Sequence, residues 1–313
     1  MEKIATREAY GKALAELGET YDFVVLDADL AAATKTGVFK KKFPERFFDC
    51  GIAEANMTSV AAGLAAAGVT PFISSFAMFT AGRAFEQVRN SIAYPHLNVK
   101  IVGTHAGITV GEDGATHQCN EDLALMRSIP GMVVINPADA TSTRAAVKAA
   151  LEYEGPVYLR FSRYATPDLS SEIEGYEFKI GRGVTLAEGC DVTIVACGYM
   201  VHLAMEAREA LAAEGISATV IDMHTVKPLD EELLLAAAKK TGALVVAEEH
   251  NVNGGLGEAV AATLSESYPV PVLRVGVLDT FGRSGKVPPL LEMYGLTSAK
   301  IAERAKAAVA LKK

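Results

Sequence analysis

The chain has 313 residues, of which 50% are hydrophobic and 22% are charged. This balance excludes a disordered chain, and the length allows two domains of roughly 100 to 200 residues each. The net charge is −8 and no basic stripe is clustered, which argues against a nucleic-acid partner because phosphate contacts dominate that affinity.

Targeting and redox features are also lacking in the sequence. No apolar stretch approaches the ~20 residues that a membrane helix needs, and residues 1–7 have no apolar core of a secretory signal. We therefore expect no membrane partner and a cytoplasmic location. The cysteines have no Cys-x-x-Cys spacing and predict buried thiols rather than a disulfide framework: Cys50, Cys119, Cys190 and Cys197.

Short apolar runs alternate with helical patterns along the first half of the chain. Continuous apolar runs that stop at turn residues are typical of buried parallel strands. In chain order the predicted elements are a helix at 3–18, a strand at 23–26, a strand at 47–50, a helix at 54–67, a strand at 71–75, a helix at 79–90, a strand at 99–103, a glycine-rich loop, a helix at 120–127, a strand at 132–135, a helix at 138–151 and a strand at 157–161.

A polar segment with proline and serine at 164–172 then predicts a linker. After it the predicted elements are strands at 191–197, 218–222, 243–247 and 271–275 and helices at 201–214, 230–240 and 255–265. Strands that alternate with helices of this length indicate parallel βαβ units. The sequence therefore predicts an α/β fold of two doubly wound, mainly parallel-sheet domains at 1–165 and 181–313, joined by a linker at 166–180.

Glu54 is the one acid in an otherwise small and apolar segment that runs to Gly68. It is either the polar face of a surface helix or a buried functional acid. If Glu54 is buried, the cost of an unpaired charge requires a partner for its carboxylate.

Phe76 and Phe79 lie three residues apart in a chain with only 7% aromatic residues. Such a pair is either part of the hydrophobic core or a flat apolar wall for a planar ring, which would stack on it at an offset.

Residues 105–118 place three glycines, two acids and two histidines on one loop after a predicted strand. Loops at the carboxyl ends of strands are where open α/β sheets bind ligands. A metal site is disfavoured because His105 and His117 have no third ligand at the usual spacing, so no metal ligands are predicted.

Three of these segments, 51–57, 75–79 and 111–118, resemble the pyrimidine-binding domain of transketolase in residues, order and spacing. Residues 222–230 and 253–257 resemble the C-terminal domain that transketolases share with deoxyxylulose-phosphate synthases and 2-oxoacid dehydrogenase β subunits. The resemblance covers nearly the whole chain and implies thiamine diphosphate as cofactor.

The resemblance also implies roles around that cofactor. Glu54 would bond N1′ of the aminopyrimidine and share a proton with it, which activates the thiazolium carbon C2. Phe79 would stack on the pyrimidine with Phe76 completing the wall, and Asp29 would lie near the cofactor at the subunit junction.

For the substrate, the resemblance places His117 at the carbonyl or C1 hydroxyl and Asp113 at the C2 hydroxyl. Arg7, His105 and Arg163 match the groups that bind a sugar phosphate, and the two guanidinium groups can do so bidentately. From the residues alone, Arg7 can equally be a helix-surface charge and Arg163 a linker cation.

Transketolase holds Mg²⁺ and the diphosphate through a Gly-Asp-Gly stretch and a later Asn of an N-terminal domain. This sequence contains no Gly-Asp-Gly. The resemblance therefore implies the C-terminal subunit of a split transketolase, which shares its cofactor with a separate N-terminal subunit that binds the Mg²⁺.

The sequence departs from the family at the substrate side. Gly82 stands where transketolases usually carry another aromatic, and Ala31, Ala32 and Ala33 occupy the region where a serine commonly binds phosphate. These departures leave the sugar substrate open.

The implied activity is the transfer of a two-carbon ketol unit from a ketose phosphate to an aldose, as in the pentose phosphate pathway. The small-residue segment 53–63 predicts a homodimer, with Ala62 in the contact and two partner chains completing a heterotetramer. Three alternatives remain: a deoxyxylulose-phosphate synthase-like subunit, a 2-oxoacid dehydrogenase β-like subunit, and a non-catalytic assembly subunit.

Overall fold

The first half of the chain alternates short buried strands with helices. The computed structural model describes residues 3–312; Met1, Glu2 and Lys313, at the outer ends of the predicted domains, lie outside the described residues. The elements up to residue 167 are β1 (Lys3–Ala5), α1 (Thr6–Leu17), β2 (Val24–Asp27), α2 (Ala31–Thr34), α3 (Gly37–Lys42), β3 (Phe47–Asp49), α4 (Glu54–Ala66), β4 (Pro71–Phe76), α5 (Phe85–Gln87), β5 (Lys100–Thr104), α6 (Asp122–Ser128), β6 (Val133–Ile135), α7 (Ala140–Glu152), β7 (Val157–Arg160) and β8 (Ala165–Pro167).

The second half repeats the alternation. Its elements are β9 (Val184–Ala187), β10 (Val192–Ala196), α8 (Met200–Ala213), β11 (Ala218–Asp222), β12 (Thr225–Lys227), α9 (Glu231–Thr241), β13 (Leu244–Asn251), α10 (Leu256–Ser267), β14 (Val272–Val277), α11 (Val287–Tyr294) and α12 (Ser298–Ala310). Helix α9 shows how local sequence sets the ends: the Asp230 side chain accepts from Leu233 N at 3.1 Å, and Gly242 ends the helix at φ 70°. None of the helices within residues 3–312 combines the length and the apolar character that crossing a membrane requires.

Two sheets organise these elements. The larger has the order β12-β6-β7-β5-β4-β2-β3, and the smaller has the order β14-β13-β10-β11-β9. Only β12 in the first sheet and β9 in the second pair antiparallel with their neighbours. The predicted class, an α/β fold of mainly parallel sheets, is confirmed.

The hydrophobic core continues from one sheet to the other. One buried cluster includes Ile73 and Leu123 from the first half together with Val246 and Leu256 from the second. Strand β12 belongs to the second half of the chain but pairs with β6 in the first sheet. The two halves are thus packed together, and the predicted domain boundaries at 165 and 181 stay a prediction.

The start of the predicted helix 3–18 was wrong, since residues 3–5 form β1. This strand pairs antiparallel with β8, which lies inside the segment predicted as linker. The helix begins at Thr6, whose hydroxyl accepts from Ser162 N at 2.8 Å and so ties the two segments together. The partners are about 160 residues apart in sequence, a separation that local patterning does not report.

The predicted helix at 79–90 is helical in the structure but is not a regular α-helix. Wide π-helical turns at Met78–Arg83 and Val88–Ala93 flank the short α5. Such turns are frequent at functional sites because they re-aim side chains. Here they begin directly after β4, at the carboxyl edge of the larger sheet. Helices α11 and α12, beyond the last predicted strand, were missed.

Candidate active site

Two parallel phenylalanine rings form a wall at the carboxyl end of β4. Phe76 is the last residue of the strand, and the following π-helical turn brings Phe79 beside it. The ring centroids are 5.8 Å apart and the planes differ by 11°. Phe76 is 7% exposed, while Phe79 is partly exposed. The pair therefore presents apolar ring surface that a second planar ring could extend.

Both histidines of the glycine-rich loop pack on this wall. The His105 ring stacks on Phe76 with centroids 3.9 Å apart. The His117 ring meets Phe79 edge-on at 5.4 Å and Phe76 at 6.1 Å. The Thr116 hydroxyl lies 2.9 Å from His117 Nδ1 and orients the ring. The loop and the aromatic wall thus form one site.

Glu54 begins α4 and is buried, with 4% of its surface exposed. Its one ion-pair partner within residues 3–312 is Arg83, whose Nε lies 4.0 Å from the carboxylate and whose side chain is 71% exposed. Arg83 ends the π-helical turn that carries Phe79, so the carboxylate lies next to the turn that bears this ring. A buried acid with so distant a cation calls for a further partner.

Asp29 follows β2 in a left-handed conformation, with φ 62°, and is exposed. The buried Asp27 fixes this turn by accepting from Leu30 N at 2.7 Å, the Thr34 hydroxyl at 2.7 Å and the Thr36 hydroxyl at 2.8 Å. Burial raises the pKa of Asp27, and the three donors oppose that shift. Asp27 therefore acts as a structural anchor that holds Asp29 out from the edge of the sheet.

Arg7 joins two parts of the site. Its Nη1 donates to Ala33 O at 2.8 Å and lies 3.2 Å from His105 Nε2. Arg7 Nε is buried without a hydrogen-bond partner among residues 3–312. The guanidinium is thus oriented inside the site with one donor left over, so the interpretation of Arg7 as a helix-surface charge was wrong.

His105 is neutral in this environment. Burial, together with the positive charges of Arg7, Arg163 and Lys35, lowers the pKa of His105 to about 3. Lys35 follows the last residue of α2 with a φ of 70°, and its Nζ lies 3.5 Å from Glu8 Oε1. The imidazole is therefore a neutral hydrogen-bonding group within a ring of cations.

Arg163 is the third cation of this group. It donates to Val110 O and to Glu112 Oε2, the latter at 3.2 Å. Both acceptors lie on the glycine-rich loop, so Arg163 is fixed to the loop instead of extending freely from a linker.

Asp113 is exposed at the crest of the same loop. Gly111 and Gly114 flank it at φ 84° and 76°, values that side chains disfavour. Gly111 O accepts from Gly114 N at 3.2 Å, and Gly114 O accepts from His117 N at 3.0 Å. The two predicted substrate residues therefore lie on two consecutive tight turns.

The structure thus brings most of the predicted site residues to one edge of the larger sheet. Phe76, Phe79, His105 and His117 are in direct contact, and Arg7 joins through His105. Within residues 3–312 no group of three or more His, Cys, Asp or Glu residues is arranged to hold a metal ion.

The chain matches two protein-family models. Residues 2–168 match the model of the transketolase pyrimidine-binding domain, and residues 181–301 match the model of the transketolase C-terminal domain. The chain belongs to the transketolase family. Enzymes of this family depend on thiamine diphosphate.

Similar proteins of matching length are transketolase sections or subunits. A transketolase C-terminal section of Methanocaldococcus jannaschii is 51% identical over 95% of this chain and 94% of its own length. A 6-deoxy-6-sulfo-D-fructose transketolase subunit of a Clostridium species is 48% identical over 96% and 92%. Mouse transketolase is 39% identical over 98% of this chain but only 49% of its own length.

Solved structures of transketolases superpose on this chain. A split gene transketolase, described as an inactive beta4 tetramer, superposes with a TM-score of 0.90 at 57% identity and covers 100% of both chains. Transketolase from Leishmania mexicana superposes with a TM-score of 0.83 at 28% identity over 99% of this chain and 46% of its own. The chain therefore corresponds to the C-terminal section of transketolase.

The site fits the aminopyrimidine half of the cofactor. Glu54 offers a buried carboxylate whose nearest cation within residues 3–312 is distant and exposed, and an aromatic nitrogen would give it a hydrogen-bond partner. Phe76 and Phe79 offer the ring surface on which a pyrimidine would stack.

Three residues of the site were missed in the sequence analysis. The sequence indicated no role for Asp27, Arg83 or Lys35. The signal for Asp27 was its place at the end of an apolar strand, where a polar side chain ends up buried if neighbouring hydroxyls satisfy it. Arg83 and Lys35 carry no local signal, because turns that patterning does not predict bring them to the site.

Proposed function

We propose that this chain is the pyrimidine-binding subunit of a transketolase that transfers a two-carbon ketol unit from a ketose phosphate to an aldose. The observation that carries the proposal is the buried Glu54 carboxylate next to the π-helical turn that brings Phe79 parallel to Phe76. Buried structural acids of this chain such as Asp27 are held by several donors, whereas Glu54 has only one distant, exposed cation within residues 3–312, so an aminopyrimidine suits it better than a purely structural role.

In this proposal Glu54 holds and shares the proton at N1′ of the aminopyrimidine, while Phe76 and Phe79 orient the ring. When bound, thiamine diphosphate supplies the carbon nucleophile that carries the ketol unit. The low-dielectric surroundings of Glu54 strengthen its hydrogen bond to the ring nitrogen. Asp29 lies at the rim of the same edge and faces the place where the second chain would complete the cofactor site.

His117 and Asp113 bind the donor. Thr116 engages His117 Nδ1, which leaves Nε2 for the substrate carbonyl or C1 hydroxyl. The exposed Asp113 accepts from the C2 hydroxyl and so selects its configuration. Because both side chains lie on consecutive turns of one loop, they set the position of the two carbons that are transferred.

Arg7, His105 and Arg163 bind the phosphate of the sugar. His105 is neutral, so the charge of the phosphate is balanced by the guanidinium groups of Arg7 and Arg163. Lys35 adds a further cation close to Ala31–Ala33, which provide no hydroxyl. It would take the place of the serine that commonly binds phosphate in this segment of the family.

The site is completed by a separate diphosphate-binding chain that carries Mg²⁺. Two observations support this: the sequence has no Gly-Asp-Gly, and the chain covers 49% of mouse transketolase. The similar split gene transketolase, in its beta4 form, is described as inactive. We propose that two copies of this chain form the core and that two partner chains complete a heterotetramer.

Relatives differ in the sugar that they use. One is named for 6-deoxy-6-sulfo-D-fructose and another, from Phocaeicola vulgatus and 40% identical over 96% of this chain, for apulose 4-phosphate. Both substrates carry an anionic group at the end of a sugar. A ketose with an anionic end therefore fits the cation group of this site, and the sugar phosphates of the pentose phosphate pathway are the first to test.

Product analysis tests the proposed reaction. The reconstituted complex, supplied with a ketose phosphate and an aldose phosphate, should yield sugars that are two carbons shorter and two carbons longer by mass spectrometry, without carbon dioxide. Carbon dioxide from a 2-oxoacid without ketol transfer would point to the synthase or dehydrogenase alternatives. No turnover of either substrate by the assembled, cofactor-loaded complex would leave the assembly-subunit alternative.

A further inference from the structure

A carboxylate from the second half of the chain reaches into the glycine-rich loop. Glu249 lies on β13 and is 1% exposed. Its Oε1 accepts from Thr109 N at 2.6 Å. A Cβ at Gly107, where φ is 77°, would collide with the same carboxylate. The loop backbone is therefore shaped around the Glu249 side chain.

Glu249 is held in place by a buried network. Arg160, which ends β7 and is 1% exposed, donates from Nη2 to Glu249 O at 2.7 Å and from Nε to Asp122 Oδ2 at 2.8 Å. Tyr158 OH donates to the same Asp122 oxygen at 2.8 Å. The network joins both sheets and α6 and fixes the backbone of Glu249, from which the side chain reaches the loop; its Oε2 is buried without a hydrogen-bond partner within residues 3–312.

The far end of the loop is attached to the second half as well. Gln118, 2% exposed, donates from Nε2 to Arg283 O at 3.0 Å and to Ile108 O at 3.1 Å. A Cβ at Gly114 would collide with the Ser284 hydroxyl. The loop segment that carries Asp113 and His117 is thus held at both ends by hydrogen bonds to the second half of the chain.

We propose that Glu249 is a positioning residue: by accepting from Thr109 N, it fixes loop 107–118 so that Asp113 and His117 face the substrate. The second half of the chain then serves the reaction by aligning a loop of the first half. The expected effect of Glu249 on catalysis rests on the proposed function. Its expected effect on the loop structure is independent of that function.

Hydrogen–deuterium exchange on the full chain tests the attachment. Glu249→Asp keeps the carboxyl group but shortens the side chain by one methylene, so it should lose the bond and raise exchange within residues 107–118 by about tenfold or more. Glu249→Gln keeps an acceptor oxygen of the same reach and should remain close to wild type. Glu258→Ala, which removes an exposed glutamate that accepts from Gly254 N at 2.8 Å, is the matched control.

Kinetics of the reconstituted complex give the second readout. The Asp variant should raise KM for the ketose donor and lower kcat, while the affinity for thiamine diphosphate stays unchanged; the Gln variant should restore both constants. Unchanged loop exchange in the Asp variant would overturn the inference, whatever the wild-type activity. A different result would be increased loop exchange in Glu249→Asp together with a wild-type complex that assembles but shows no ketol transfer. That result would contradict the proposed function and leave the attachment of the loop by Glu249 standing.

Discussion

Glu54→Ala is expected to lower the turnover of the reconstituted complex by about 10²–10⁴-fold or more, because it removes the group that shares a proton with the aminopyrimidine. The fold should be nearly unaffected. Glu54 lies in the first turn of α4, where loss of its favourable interaction with the helix dipole costs about 0.3–1 kcal/mol.

Steady-state kinetics with saturating cofactor measure this effect, and Glu54→Gln sharpens it. The amide still bonds a ring nitrogen but cannot exchange the proton, so its turnover should fall nearly as far as that of the Ala variant. Glu45→Ala, at an exposed position outside the site, is the control. Activity of Glu54→Ala within about threefold of wild type, with the cofactor bound, would return Glu54 to a structural role.

Gly63→Arg is expected to abolish self-association of the chain and, with it, the activity of the complex. Ala62 was predicted to lie in the contact, but it is 7% exposed and packs in the chain's own core. The exposed face of α4 instead carries Ser59, Val60 and Gly63, and a Cβ at Gly63 meets no atom within 4 Å. An arginine at position 63 is therefore compatible with the folded chain but not with a close helix–helix contact.

The physical reason is the cost of burying an unpaired guanidinium in the contact, which amounts to several kcal/mol. Light scattering should give a mass of at least two chains of 33.0 kDa for the wild type and of one chain for Gly63→Arg. Ser265→Arg, on the exposed side of α10, should assemble as the wild type does. Near-UV circular dichroism checks that both variants are folded. A single-chain mass for the wild type at micromolar concentration would mean that the predicted assembly is wrong.

The sequence alone predicted the alternation of strands and helices, because buried parallel strands read as short apolar runs. It also predicted the wall of Phe76 and Phe79 and the loop with His105 and His117, since the resemblance to transketolase rests on these residues. Each of these features is local: its residues lie close together in the chain.

The features that sequence analysis missed depend on distant pairings. The contact of β1 with β8 joins residues about 160 positions apart, and the π-helical turn after β4 has no compositional signal. Glu249 was overlooked because the predicted strand stopped at Ala247. Glu249 is an acid that follows an apolar run, as Asp27 does at the end of β2, and only the fold shows that Thr109 lies opposite.

The central claim is that this chain holds only the pyrimidine half of the active site. Titration calorimetry combined with a ketol-transfer assay tests it most directly, on the chain alone and after addition of a chain that carries the Gly-Asp-Gly and Asn ligands. The isolated chain should bind thiamine diphosphate weakly and show no turnover, and the mixture should bind it tightly with Mg²⁺ and transfer the ketol unit. Micromolar, Mg²⁺-dependent binding together with ketol transfer by the isolated chain would contradict the account.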